Sequence, residues 1–367
     1  MRIAIDAREL AGHPTGVGRY LAELLRAWDG LPGARAYDFA LCAASEVSTP
    51  PLPSLRVSHH VSPGSGPWWE QRVLPRLAKR AGADVLFAPA YSGPLFPGMP
   101  MVVTIHDVSF AAHPEWFGPR EGFRRRLTTR AAAWRARRVL TVSDFSKREI
   151  VRCFGTDASK IDVVYSGATP FAADGPGPPA AGAAGGMVLF VGSVFARRHV
   201  PELVAGFGRL ARRRAGVTLE IVGDNRSRPR IDLDALVRSH AQDGRIRLRH
   251  YVSDAELATL YRGASVFAFL SEYEGFGLTP LDALAAGIPI VVLDTEVARE
   301  IYGPAAVYVA SPEPSLVEAA LDAALFDADT RRRVLEAAPR VLERYSWQES
   351  ARRTLQVLLA AAGTQAS

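Results

Sequence analysis

The chain has 367 residues, with 44 Lys and Arg against 38 Asp and Glu, a net charge of +6, 48% hydrophobic and 22% charged residues. That balance excludes a disordered or collagen-like chain, and the length calls for two domains rather than one core. The two cysteines, Cys42 and Cys153, exclude a disulfide scaffold and have no metal-ligand spacing.

The first residues, MRIAIDAREL, break into charge at once, and no run of about 18 apolar residues follows. The expectation is a cytoplasmic protein, at most peripheral at the inner face of a membrane. RIAID (2–6) reads as a strand and 16–28 as a helix. Trp68 and Trp69 are aromatics suited to a membrane interface. DVLFAP, VVTIHD and VLTVS read as strands centred on Leu86, Thr104 and Thr141. Arginine is concentrated in Arg120, Arg124, Arg125, Arg126, Arg130, Arg135, Arg137 and Arg138. These residues read as a solvated helix face or as a patch for an anionic membrane surface. Nucleic acid is not expected, because no binding module accompanies the charge.

Residues 172–186, AADGPGPPAAGAAGG, cannot bury a core and read as a linker. The alternation then resumes with the strand VLFVGS, a helix over 201–214, the strand LEIVGD and a helix over 232–240. It continues with the strand IRLRHYV and the helix SDAELATLYRGA, where Ser253 and Glu256 form a capping box, and closes with VFAFLS and IPIVVLD. Continuous apolar strands separated by helices imply parallel sheets covered on both faces. The fold class is therefore α/β, with two doubly wound, Rossmann-like parallel-sheet domains facing across a cleft. Their bounds read as 1–171 and 187–345, with the linker at 172–186 and a terminal helix at 346–367. In such sheets ligands bind beyond the carboxyl ends of the strands.

One such loop carries SEYEGFGLTPLDALAAGIPIVVLD, 271–294. Gly275 and Gly277 let the backbone approach a ligand closely. Thr279 reads as a helix N-cap and Pro280 as the first helical residue, with Gly287 and Pro289 ending the helix. Free N–H groups at that helix start favour an anion such as phosphate. Glu274 reads as an exposed loop acid or a hydroxyl ligand, and Asp282 as the closing member of a capping box or a second hydroxyl ligand.

EYEGFGLTPLDALAAGIPIVV resembles the signature of the family 4 retaining glycosyltransferases of the GT-B fold (group 1, mannosyltransferase-like). The resemblance implies that Glu274 contacts the donor sugar. It implies that Asp282, one methylene shorter than the family's Glu, holds the nucleotide ribose, with Gly275, Phe276, Gly277, Leu278 and Thr279 between them. GSVFARRHV, with Gly192, resembles the family's diphosphate-binding loop and places Arg197 and Arg198 on the phosphates. DARELAGHPTGVGRY resembles the first glycine loop through Gly16, Gly18, Arg19 and Tyr20, and VVTIHDVSF gives His106 near the donor sugar with Asp107 beside it. The terminal SWQESARRTLQVLL is similar to the family's helix that returns to the amino domain.

The resemblance implies a retaining transfer of a hexose, mannose from GDP-mannose first and UDP-sugars next. The acceptor is a glycan or a lipid-linked glycan of bacterial surface polysaccharide synthesis. No metal or other cofactor is expected, although Asp232-Leu233-Asp234 forms an Asp-x-Asp string. Three alternatives stand beside it. A Rossmann oxidoreductase is disfavoured by the wrong glycine spacing. The others are a non-catalytic relative binding a glycan or protein, and an inverting transferase or sugar-phosphate epimerase.

Overall fold

A computed structural model of the chain describes residues 1–12, 16–169, 185–240 and 244–363. It comprises two compact units, Met1–Gly167 with Tyr345–Ser367, and Ala168–Arg344. The segment expected as a linker lies outside the described residues apart from Gly185 and Gly186.

The first unit holds β1 (Arg2–Asp6), β2 (Asp38–Ala43), β3 (Arg56–Val61), β4 (Val85–Ala88), β5 (Met101–Thr104), β6 (Arg138–Thr141) and β7 (Ile161–Val163). They form one parallel sheet in the order β3-β2-β1-β4-β5-β6-β7. Ile3 of β1 lies opposite Phe39 on one side and Val85 on the other. The strand order reverses between β1 and β4, so their carboxyl ends mark a topological switch point. Every residue of β4 and β5 is buried, which explains their unbroken apolar sequences. The edge strand β3, RVSHHV, is largely exposed and carries no such signal.

Trp28 is fully buried, stacks on Phe39 at 5.2 Å and donates its Nε1–H to the Ala351 carbonyl at 2.8 Å. Ala351 lies in the helix Trp347–Ala362, which is therefore part of this unit's core. At Gly167 an added Cβ would lie 2.4 Å from Trp347, so only glycine passes beneath that helix.

The tryptophan pair divides. Trp68 is exposed, but Trp69 is fully buried, and its Nε1–H donates to the Ser62 carbonyl at 2.7 Å. Trp69 is thus a core residue and not an interfacial one. Cys42 is likewise buried, and burial, with Asp6 adding to it, pushes its thiol up to about 12, so it is inert at neutral pH.

The second unit holds β8 (Met187–Val191), β9 (Thr218–Val222), β10 (Ile246–Arg249), β11 (Val266–Phe269), β12 (Ile290–Leu293) and β13 (Val307–Val309). They form a parallel sheet in the order β10-β9-β8-β11-β12-β13. Its switch point lies between β8 and β11. Burying each Val, Leu, Ile or Phe of these strands contributes roughly 1.5–3 kcal/mol. β10 ends at Arg249, short of the expected 252, where the chain turns toward the helix Asp254–Gly263. Ser253 and Glu256 form the capping box, each side chain accepting from the other's backbone N–H. Among the described residues no helix is long and apolar enough to cross a membrane.

Candidate active site

In the second unit the two strands that flank the switch point supply the loops that carry the expected site. After β8 the chain turns at Gly192, whose φ is +149°, and a Cβ there would lie 2.7 Å from Arg198 Nη1. A short turn, Ala196–Arg198, follows. His199, in the left-handed region at φ +49°, then opens the helix Val200–Arg213. After β11 the loop through Glu274 leads to the helix Leu278–Ala285.

The two loops meet. Arg198 Nε donates to Glu274 Oε1 at 2.8 Å, and its Nη1 donates to the Ser193 carbonyl at 3.0 Å. Its guanidinium lies over Phe269 at 4.9 Å and Phe195 at 5.4 Å, a stacked seat that a lysine ammonium would not fill in the same way. Ser271 Oγ donates to the same Glu274 oxygen at 2.8 Å. Arg197 lies over Phe195 at 4.4 Å, and its Nε donates to the Tyr273 carbonyl at 3.3 Å. The backbone joins them too, with Glu272 N–H donating to the Arg197 carbonyl at 3.0 Å. Two cations and one carboxylate, 76 residues apart in sequence, thus share one half-buried patch.

The helix start corrects the sequence reading. The N-cap is Gly277, not Thr279, and no side chain caps the helix. Gly277 adopts φ +93°, which turns the chain earlier than a threonine cap would, and Tyr302 Oη holds that turn by donating to the Gly277 carbonyl at 2.9 Å. Thr279 becomes the second helical residue and Pro280 the third. Without a side-chain cap, the first-turn N–H groups of Leu278 and Thr279 form the kind of donor set that receives anions. Phe276 is buried beside Gly275. Asp282 is fully buried and accepts the Thr169 backbone N–H at 2.8 Å, so it closes no capping box.

In the first unit, Gly16 begins the helix Gly16–Asp29, which carries Gly18, Arg19 and Tyr20; the three residues before it lie outside the described residues. Tyr20 is buried and meets the His106 ring edge-on at 4.8 Å. His106 follows β5, and its Nε2–H donates to the Pro89 carbonyl at 2.8 Å, which leaves Nδ1 of the neutral ring as an acceptor. Asp107 accepts from Tyr91 Oη at 2.7 Å and from the Ser109 N–H at 2.8 Å. Tyr91 has φ +62°, a strained backbone for a non-glycine residue.

A second charged cluster escaped the sequence reading. Arg8 is clamped by Asp6 at 2.6 Å and Glu70 at 2.9 Å, and Ser92 Oγ donates to Glu70 at 2.7 Å. Asp6 and Glu70 are buried. The signal was an acid at the end of β1 with an arginine two residues on, at the switch point.

Burial pulls His106 below its ordinary value, outweighing the Pro89 hydrogen bond and the nearby Asp107 charge. Its neutral form therefore stabilises the fold fully above about pH 6.5, and that contribution is lost as pH falls below it. Burial also acts on His199, but the pairs with Glu202 and Glu272 outweigh it and raise the value. That contribution is full below about pH 6.5 and is lost as pH rises through the raised value. Thermal unfolding of the first unit should therefore shift downward on acidification, and His106→Gln should flatten the shift. An unchanged slope in that variant would assign the effect elsewhere.

Residues 183–341 match the family described as "Glycosyl transferases group 1", and residues 14–170 match "Glycosyltransferase Family 4". The chain is 31% identical over 285 residues to a glycogen synthase of Mycobacterium tuberculosis, an alignment covering 74% of this chain and 66% of that relative, just under two thirds of its length. It is 27% identical to the O-antigen chain mannosyltransferase B of Escherichia coli, covering 69% of this chain and 68% of the other. Anabaena HepE, solved in complex with UDP-glucose, superposes with a TM-score of 0.72 at 15% identity, over 98% of this chain and 100% of that one. That similarity bears on the fold alone, and with the two parallel sheets it establishes GT-B. Together the two family matches take in both halves of the molecule, and the chain belongs to the family 4, group 1 glycosyltransferases.

Proposed function

We propose that the protein moves a hexose, mannose first among the candidates, from a nucleoside diphosphate to an acceptor hydroxyl with retained anomeric configuration. The observation that carries this reading is the meeting of Arg198 with Glu274, and of Arg197 with the adjoining Tyr273 carbonyl, at the switch point of the second sheet. As the glycosidic bond breaks, negative charge grows on the departing β-phosphate, and preorganised donors in a half-buried site stabilise it most in the transition state. With Arg198 Nε and Nη1 engaged, the phosphate is offered its Nη2 edge, together with Arg197 and the N–H groups of Leu278 and Thr279. Glu274, oriented by Arg198 and Ser271, receives a sugar hydroxyl. Neutral His106 accepts a hydroxyl through Nδ1 instead of acting as a cation.

No side chain is assigned as a nucleophile; the departing phosphate takes the acceptor's proton on the face it leaves. Ribose recognition by Asp282 requires the Thr169 N–H to give way, since the carboxylate is buried against it. Mannose is favoured by the likeness to an O-antigen chain mannosyltransferase, and a nucleotide sugar donor by the likeness to HepE with UDP-glucose. The acceptor is a glycan or lipid-linked glycan of a surface polysaccharide, met at the cytoplasmic side; the O-antigen chain mannosyltransferase supports the glycan part of this reading.

Metal assistance is not part of the proposal. Asp232 of the Asp-x-Asp string caps the helix Leu233–His240, its Oδ1 accepting the Ala235 N–H at 2.9 Å. A thermal-shift screen of GDP- and UDP-sugars tests the reading. At 100 times its Kd a donor adds about 2.7 kcal/mol to stability. The preferred donor should then be turned over to a product of unchanged anomeric configuration, at the same rate in excess EDTA. Stabilisation by no nucleotide sugar would overturn the reading; an inverted product would remove retention, and loss of transfer rescued by manganese would bring in a metal.

A further inference from the structure

The arginine segment forms the helix Pro119–Arg135, and its faces are inverted relative to an ordinary surface helix. The residues it buries are small: Gly122, Thr129, Ala132 and Ala133. Its large apolar side chains point outward, with Phe123 61% exposed, Leu127 58% and Trp134 77%. Spacings of four and seven residues place these three on one stripe. A helix that only roofed a sheet would bury them, since each apolar side chain left in water forgoes its transfer free energy.

A further exposed aromatic lies on a loop joined to the helix end. Arg135 Nε donates to the Leu95 carbonyl at 2.7 Å, tying the Leu95–Phe96 loop to the helix end, and Phe96 is 82% exposed. Arginines flank the stripe on both sides, Arg120, Arg124 and Arg135 on one and Arg126 and Arg130 on the other. The helix carries six arginines against the single acid Glu121. The crowding of cations is felt nearby: after burial, Arg135 is the next cause pulling the Lys160 ammonium below its ordinary value.

We propose that this face is a docking surface for an anionic phospholipid bilayer, with Phe96, Phe123, Leu127 and Trp134 entering the headgroup–acyl boundary and the arginines meeting lipid phosphates. An aromatic and aliphatic stripe bordered by cations fits a surface that is apolar beneath and negative above. Large apolar side chains gathered on one exposed helix face call for a partner. A nucleic acid would meet the cations but gains little from Leu127, so it serves as an outcome of the test.

The test uses the full chain with vesicles of phosphatidylcholine alone and of phosphatidylcholine with phosphatidylglycerol. Binding should require phosphatidylglycerol, weaken with salt, and fall by about fivefold for each of Arg120→Gln, Arg124→Gln and Arg130→Gln. The triple variant Phe123→Ser, Leu127→Ser, Trp134→Ser should lose binding while keeping its unfolding temperature and its stabilisation by nucleotide sugar, since all three side chains are exposed. Brominated lipid should quench the native fluorescence, and the near-isosteric Trp134→Phe should remove that quench. Absence of binding at low salt, equal binding by the triple variant, a quench that survives Trp134→Phe, or capture of a single-stranded oligonucleotide in preference to the vesicles would each overturn the proposal. Nucleotide-sugar stabilisation reports separately on the donor site, so failure of one reading leaves the other standing.

Discussion

Arg197→Ala is expected to lower the turnover of sugar transfer by about 10²–10³, the cost of removing one preorganised donor from developing negative charge. The loss should fall on kcat more than on the donor's KM, because the interaction strengthens as the phosphate departs. Arg197 lies over Phe195 and donates to the Tyr273 carbonyl at 3.3 Å, and the backbone link to Glu272 is kept in the variant. Its thermal unfolding, measured beside the rate, separates lost chemistry from lost fold. Arg197→Lys keeps the charge and loses the planar fork, so its rate should lie between the two. Single-turnover kinetics separate chemistry from release, and a variant turning over at the native rate would remove Arg197 from the phosphate site.

Gly277→Ala should unfold the second unit at a markedly lower temperature. At φ +93° a side chain costs about 1–2 kcal/mol. The new Cβ would also stand 2.0 Å from Tyr302 Oη and 3.2 Å from its Cζ. Tyr302 is 3% exposed and cannot swing into water, so its bond to the Gly277 carbonyl must break, at about 1–3 kcal/mol for the orphaned groups. The sum is about 2–5 kcal/mol, or roughly 5–15 °C for a unit of this size. Tyr302→Phe removes the colliding oxygen but not the backbone strain. The double variant Gly277→Ala, Tyr302→Phe should therefore be more stable than the two single losses added together. Strict additivity would show that the hydroxyl is not the obstacle, and a native melting temperature for Gly277→Ala would refute the loop geometry itself.

Most strands covered on both faces were legible, because burial writes itself as Val, Ile, Leu and Phe; β2, buried from Phe39 to Ala43, is the exception. β2, β3, β7 and β13 were not read, and two of these show why. β3 is an exposed edge strand, and β7 has three residues. The capping box at Ser253 was legible because it is local; the cap before Leu278 was not, since Tyr302, 25 residues on, decides it. Arg197, Arg198 and Glu274 could be named from motif, but their pairing across 76 residues depends on β8 lying beside β11. Burial split Trp68 from Trp69, adjacent residues of the same type, and adjacency in sequence carries no sign of that. The same holds for the outward stripe on the arginine helix: composition announced the charge, and only the packing of Gly122, Thr129 and Ala132 shows which way Phe123 and Leu127 face.

The seat of Trp28 has a consequence for biosynthesis. The carbonyl it bonds belongs to Ala351, so a segment synthesised after the whole second sheet closes the core of the first half. Every strand of the second half emerges before that lid exists. At about 5–20 residues per second, the nascent amino-terminal half waits roughly 10–35 seconds with an indole uncovered. Folding order here is thus not chain order: the second half can close before the first.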